Sequence, residues 1–151
     1  MSISLVLDSG ILGRLCHPRR DVSDPLTAWL ADRLTDDPDG EVYVPEIADY
    51  ELRRKLLHLM ATGRTSTHAI DRLDQLTAAF IYLPLTTDMI RHAAELWAEA
   101  RLKGVPTAPE TSLDADVILA AQALAVSGTV VTTNPRHLER FVAAKTWEEL
   151  T

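Results

Sequence analysis

The sequence predicts a three-layer α/β fold built on a mainly parallel central sheet. Three observations carry that prediction. Short apolar or β-branched segments, such as Ile3 to Leu7 and Val130-Val131-Thr132-Thr133-Asn134, alternate with longer segments whose apolar residues recur at helical spacing. Gly, Pro, Asp and Asn punctuate the boundaries between them. The 151 residues, 46% of them hydrophobic, suffice for one well-cored domain and are too few for two comfortable ones, so residues 1–151 are read as a single domain.

Taken in order, Ile3 to Leu7 is a buried strand that Asp8-Ser9-Gly10 turns into a helix. Leu26, Trp29, Leu30 and Leu34 mark the next helix, bounded by Pro25 and by the turn Asp36-Asp37-Pro38-Asp39-Gly40. That acidic turn lacks the EF-hand spacing and reads as solvated. Glu41 to Val44 is a second strand, and Pro45 opens a helix to about Ala61 with Leu52, Leu56, Leu59 and Met60 as its stripe and Gly63 as its stop. Ile70, Leu73, Thr77 and Phe80 define a further helix, followed by a brief strand over Ile81 to Leu83. Ile90, Ala93, Ala94, Trp97 and Ala100 form another helical stripe ending at Gly104, and Trp29 and Trp97 read as core anchors. Residues 104–111, with two prolines and little periodicity, are expected as a loop beside the candidate site. Val117, Ala120, Ala121 and Leu124 give the next helix, with Gly128 as its stop. Thr129 to Thr133 is β-branched, as a buried parallel strand requires. Asn134-Pro135 then turns into a short helix through Leu138 and Phe141, leaving a tail around Trp147.

Composition narrows the function classes. No run of eighteen apolar residues and no secretory leader pattern occurs, so a soluble cytoplasmic protein without a membrane partner is expected. The lone cysteine, Cys16, cannot form an internal disulfide, no Cys/His spacing suits zinc, and packing is its expected role. A net charge of −7 argues against broad, non-specific nucleic-acid binding but leaves room for a nucleic-acid enzyme with local basic clusters, here Arg14-His17-Arg19-Arg20 and Arg53-Arg54-Lys55.

The polar residues at element ends point to chemistry. Asp8 closes the first strand, Glu51 lies early in a helix, Asp114 and Asp116 begin another, and Asn134 closes the late strand. In a parallel α/β fold these ends share one edge, so the side chains can meet in one crevice. Two carboxylates ~4 Å apart at an effective dielectric of ~20 repel by about 4 kcal/mol, so three of them need a proton or a cation. All-oxygen ligands favour Mg²⁺ or Mn²⁺, and such ions suit phosphodiester hydrolysis by polarising a phosphoryl oxygen and acidifying water. Structural roles compete at each position: Asp8 as a helix cap, Glu51 as a partner of Lys55, Asp114 and Asp116 as first-turn acids, Asn134 as a turn residue. Residues two apart in a helix point to nearly opposite sides, so Asp114 and Asp116 can both face the crevice only if Asp114 precedes the first full turn.

Taken together these residues resemble the PIN-domain family, particularly its VapC-type toxin ribonucleases. The resemblance spans nearly the whole chain: the strand ending in Asp8-Ser9, the Pro45-to-Leu56 helix carrying Glu51-Leu52, Leu113-Asp114-Ala115-Asp116-Val117-Ile118-Leu119-Ala120-Ala121-Gln122-Ala123, and Val131-Thr132-Thr133-Asn134-Pro135-Arg136-His137-Leu138. It implies a PIN-like fold, with Asp8, Glu51 and Asp116 as metal-binding carboxylates, Asn134 in the fourth polar position and Asp114 as an extra ligand. It further implies Thr132 as a supporting hydroxyl, Mg²⁺ with Mn²⁺ as substitute, a homodimer, and a VapB-like antitoxin laid in the acidic groove. Arg14, Arg53, Arg54, Thr132 and His137 are candidates for meeting RNA, since guanidinium forks match phosphate oxygens. Two other readings are a degenerate PIN module that binds RNA or an antitoxin without cutting, and phosphoryl transfer through Asp8. The second lacks an Asp two residues on, where Gly10 stands, and a Lys after the late strand, where Asn134 stands.

Overall fold

A computed structural model describes residues 2–65, 67–104 and 110–151. Among them five strands form one sheet: β1 (Ser4–Leu7), β2 (Glu41–Pro45), β3 (Ile81–Leu83), β4 (Thr129–Val131) and β5 (Ala144–Lys145). Their order is β3-β2-β1-β4-β5 and every neighbouring pair is parallel. The helices are α1 (Ser9–Leu15), α2 (Arg20–Asp36), α3 (Glu46–Ala61), α4 (His68–Ala79), α5 (Thr87–Leu102) and α6 (Glu110–Ala125), with a 3₁₀ turn at Pro135–His137.

The two-residue period of the strands sorts the core into two halves. Leu5 and Leu7 look to one face, where they join Val42, Val44 and Val131 beneath α1 to α4 through Leu12, Trp29, Leu52 and Leu73. Val6 and Val130 look to the other, against Ala93 and Leu96 of α5 and Val117, Ala120 and Ala121 of α6. Each fully buried Val or Leu contributes about 1.5–3 kcal/mol of burial, so this alternation pins the register: a one-residue slip would exchange the two faces.

Several local outcomes differ from the sequence expectation. Helix α2 starts at Arg20 and carries Pro25 inside it; proline there forfeits one backbone bond but does not set the boundary. Helix α6 already runs from Glu110, where a loop was expected, and residues 105–109 of that expected loop lie outside the described residues. The stop of α6 is divided between two residues. Ser127 holds the left-handed conformation at φ 51°, while Gly128 is needed for space, since a Cβ there would sit 2.7 Å from Val6 Cγ2. Trp29 is buried in the core, whereas Trp97 is half-buried at its margin with Arg101 over its ring. The short helix after Asn134 is a single 3₁₀ turn. Beyond it comes the unexpected β5, and the tail packs Trp147 against Trp29 with ring centroids 6.1 Å apart.

Candidate metal centre and basic groove

The chain leaves β1 toward β2 on one side, while β4 lies on the other, so the crevice beyond the C-terminal ends of β1 and β4 is the sheet's switch point. Asp8 stands there as the N-cap of α1, with its Oδ1 accepting the Ser9 N–H at 2.7 Å. Its Oδ2 accepts the hydroxyl of Thr132, also at 2.7 Å. Capping and site geometry are therefore one arrangement, with each oxygen anchored and lone pairs left over for the crevice.

Thr132 is itself held from two sides. Its backbone N–H donates to the Lys145 carbonyl at 3.0 Å, across to β5, and its hydroxyl oxygen accepts the Asn134 N–H at 3.3 Å. The residue is 2% exposed, so its hydroxyl has little freedom to turn from Asp8. Asn134 is exposed at the end of this segment and its side chain makes no capping bond.

Glu51 arrives on α3 and Asp116 on α6. The first turn of α3 is tied to α6 by the fully buried Gln122, which accepts the Ile47 N–H at 3.2 Å and donates to the Leu83 carbonyl at 2.7 Å. Sequence reading places this amide in the helical stretch of the family resemblance but assigns it no role; its one signal is a polar residue within an otherwise apolar helical run. Burial pushes the Glu51 carboxyl above the usual range, Asp8 and Asp116 add like charge, and Arg54 and a hydrogen bond from Ser9 work the other way. Asp116 is pushed up to about 6, foremost by burial, with Asp8 adding repulsion and His137 and Arg140 drawing it down. Each of the three carboxylates thus lies within electrostatic reach of another, two of them short of compensating charge.

The other expected site residues divide. Asp114 does not join the trio: α6 begins four residues before it, so Asp114 is inside the helix and faces a groove of about 390 Å³ lined by Ile90, Trp97, Val117 and Ile118. Arg53 is not turned to the crevice either. Its guanidinium is consumed by Asp49 at 3.0 Å and Asp74 at 2.9 Å, tying α3 to α4. Arg14 and Arg54 do line an open groove of about 650 Å³ that starts at Ser9 and Glu51 and runs between α1 and α3, with Lys55 and Arg64 adding positive charge. Arg54 lies over the Tyr50 ring at 5.1 Å. His137 is near enough to Asp116 to favour its ionised form, and so is Arg140, which sequence reading overlooked because an exposed arginine near a chain turn carries no local signal.

The chemistry of Asp8, Glu51 and Asp116 suits a divalent cation: three carboxylates, no sulfur, and two acids raised by burial and by neighbouring negative charge. Among the described residues no group of three or more His, Cys, Asp and Glu side chains is arranged to hold a metal ion.

The PIN domain profile matches residues 5–143. The chain belongs to the PIN domain family. Solved structures with this PIN fold include VapBC2 from Rickettsia felis bound to a DNA fragment from its promoter, with a TM-score of 0.71 and 16% identity over 96% of this chain and 99% of that one. FitAcB from Neisseria gonorrhoeae matches with a TM-score of 0.70 and 23% identity over 95% and 98% of the two chains. VapBC-1 from nontypeable Haemophilus influenzae gives 0.70 and 19% over 97% and 99%. At these identities the likeness is one of fold. No curated protein matches the sequence. Among the described residues of this PIN domain, no helix is long and apolar enough to cross a membrane.

Proposed function

We propose that residues 1–151 form one PIN-like domain acting as a metal-dependent endoribonuclease, the VapC-type toxin of a cytoplasmic toxin–antitoxin pair. The observation that supports this reading is the electrostatic reach of Asp8 and Asp116 to Glu51, which itself lines the groove bearing Arg14 and Arg54. The nuclease character of the family and the VapBC structures that share the fold support it.

Asp8, Glu51 and Asp116 would hold Mg²⁺ or Mn²⁺, with Asn134 as a neutral fourth donor at the rim. Such an ion, when bound, supplies charge neutralisation at a phosphoryl oxygen and lowers the pKa of water by several units, which is the chemistry hydrolysis needs. Thr132 and Ser9 hold the Asp8 carboxylate in one orientation. His137 can meet a phosphate beside Asp116. Arg14 and Arg54 bind the phosphodiester backbone along the groove, where their charge outweighs locally the molecule's net −7. The partners are an RNA substrate, a VapB-like antitoxin and a second copy of the chain.

The test is incubation of purified, antitoxin-free protein with total bacterial RNA, with Mg²⁺, with Mn²⁺ and with chelator, beside folded Asp8→Asn and Asp116→Asn proteins. Discrete fragments that need metal and vanish in both variants are expected. Unbroken RNA under every metal, with RNA still bound, would instead favour a PIN module that binds without cutting.

A further inference from the structure

Resting on the nuclease reading above, we infer that Trp147 is a positioning residue: docked on Trp29, it holds β5 against β4 and thereby keeps the Thr132 hydroxyl on the Asp8 carboxylate. Strand β5 is two residues long and lies at the edge of the sheet, with β4 as its one neighbour among the described residues. So short a parallel pairing has little stability of its own, and its place depends on where the chain is anchored before and after it.

The two anchors lie in different halves of the core. Val142 and Ala144 are buried in the half under α5 and α6. After β5 the chain turns to the other half, where Trp147 and Leu150 pack beneath α1 to α4 and the Trp147 ring meets that of Trp29 at 6.1 Å and an interplanar angle of 58°. Both indole N–H groups are buried without a hydrogen-bond partner, so apolar area and ring geometry hold this contact. Arg33 of α2 closes the seat, since its Nη1 donates to the Leu150 carbonyl at 3.2 Å and its guanidinium lies over the Trp29 ring at 5.9 Å. The Leu150 N–H in turn donates to the Trp147 carbonyl at 3.2 Å. From Lys145, two residues before Trp147, two hydrogen bonds lead to the site: its carbonyl accepts the Thr132 N–H at 3.0 Å, and the Thr132 hydroxyl donates to Asp8 Oδ2 at 2.7 Å. Thr132 is buried, so a shift of its backbone carries the hydroxyl with it. Groups that orient a metal ligand from behind typically govern metal affinity by about tenfold or more.

The experiment uses the full chain, with Mn²⁺ alone as the probe. Trp147→Ala should raise the Kd for Mn²⁺ about tenfold, and Thr132→Val at least as much. The double variant should bind no more weakly than Thr132→Val, because both changes take the same hydroxyl from Asp8. Trp147→Phe, which keeps a ring and drops the unpartnered N–H, should bind within about twofold of the parent. Leu76→Ala, packed against the same half of the core, should lower stability without changing the Kd. In the absence of metal, Trp147→Ala should speed amide hydrogen exchange at Thr132 about tenfold more than at Asp8, whose N–H donates to Val131 on the side of β4 away from β5. Arg33→Ala, which releases the Leu150 carbonyl, should raise the Kd about threefold and replaces Trp147→Ala as the deciding variant if the latter does not fold. Parent-like Mn²⁺ binding by the folded deciding variant, or losses that multiply in the double variant, overturns the inference while leaving the nuclease reading intact. Absence of Mn²⁺ binding by the parent overturns both.

Discussion

Asp8 shows how one side chain serves fold and site together. It caps α1 through Ser9 and receives the Thr132 hydroxyl, so the bonds that start the helix also orient the carboxylate. Asp116 carries the opposite balance, because a pKa of about 6 against an ordinary 3.8 means that the folded state binds its proton more tightly than the unfolded chain does. Its contribution to stability is therefore full below about pH 3.8 and is lost as pH rises through about 6. With chelator at about pH 7.5, Asp116→Asn should melt above the parent by on the order of 1 kcal/mol, a figure already discounted for solvent screening of a half-buried group. Near pH 4 the two should coincide. Thermal melts at both pH values check this, and an Asn variant that melts lower at neutral pH would contradict it.

At the scale of elements, the position of a helix start decides chemistry. Because α6 begins at Glu110, Asp114 lies past the first turn and its side chain is carried to the α5 side, while Asp116 reaches the crevice. The two-residue strand β5 matters out of proportion to its length, since the Lys145 carbonyl holds the Thr132 N–H and thereby the hydroxyl on Asp8. The end of α6 stores strain that can be removed. Ser127 stands at φ 51°, a conformation that costs a non-glycine residue about 1 kcal/mol. Ser127→Gly should raise stability by about 0.5–1 kcal/mol, read as a higher denaturant midpoint at unchanged slope.

At the scale of the whole molecule, the switch point gathers negative charge from elements that are remote in sequence, in a chain already at −7. Self-repulsion in the crevice is the reservoir a cation would discharge. Mg²⁺ or Mn²⁺ should therefore raise the melting temperature, by about 2.7 kcal/mol of stabilisation at a hundredfold excess over Kd. Asp116→Asn should abolish most of that gain and Asp114→Asn little of it. A metal-induced shift that survives Asp116→Asn would place the ion elsewhere.

By itself the sequence determined the alternation of strands and helices, the parallel sheet and the place of Asp8 at the end of β1. Those properties are local: apolar period marks the element, and an acid that closes a strand, as Asp8 does, is carried wherever that end goes. The helix stops at Gly63 and Gly104, both at positive φ, were readable for the same reason. Tertiary structure alone decided the rest. A two-residue edge strand has no period to read, and the phase of Asp114 depended on where α6 starts. Arg53 and Arg54 are neighbours of identical chemistry, and only the placement of Asp49 and Asp74 ties one down while the other lies over Tyr50 at the groove. The effect of Arg140 on Asp116 likewise became visible only in the fold, because electrostatic partnership follows distance in space, not position in the chain.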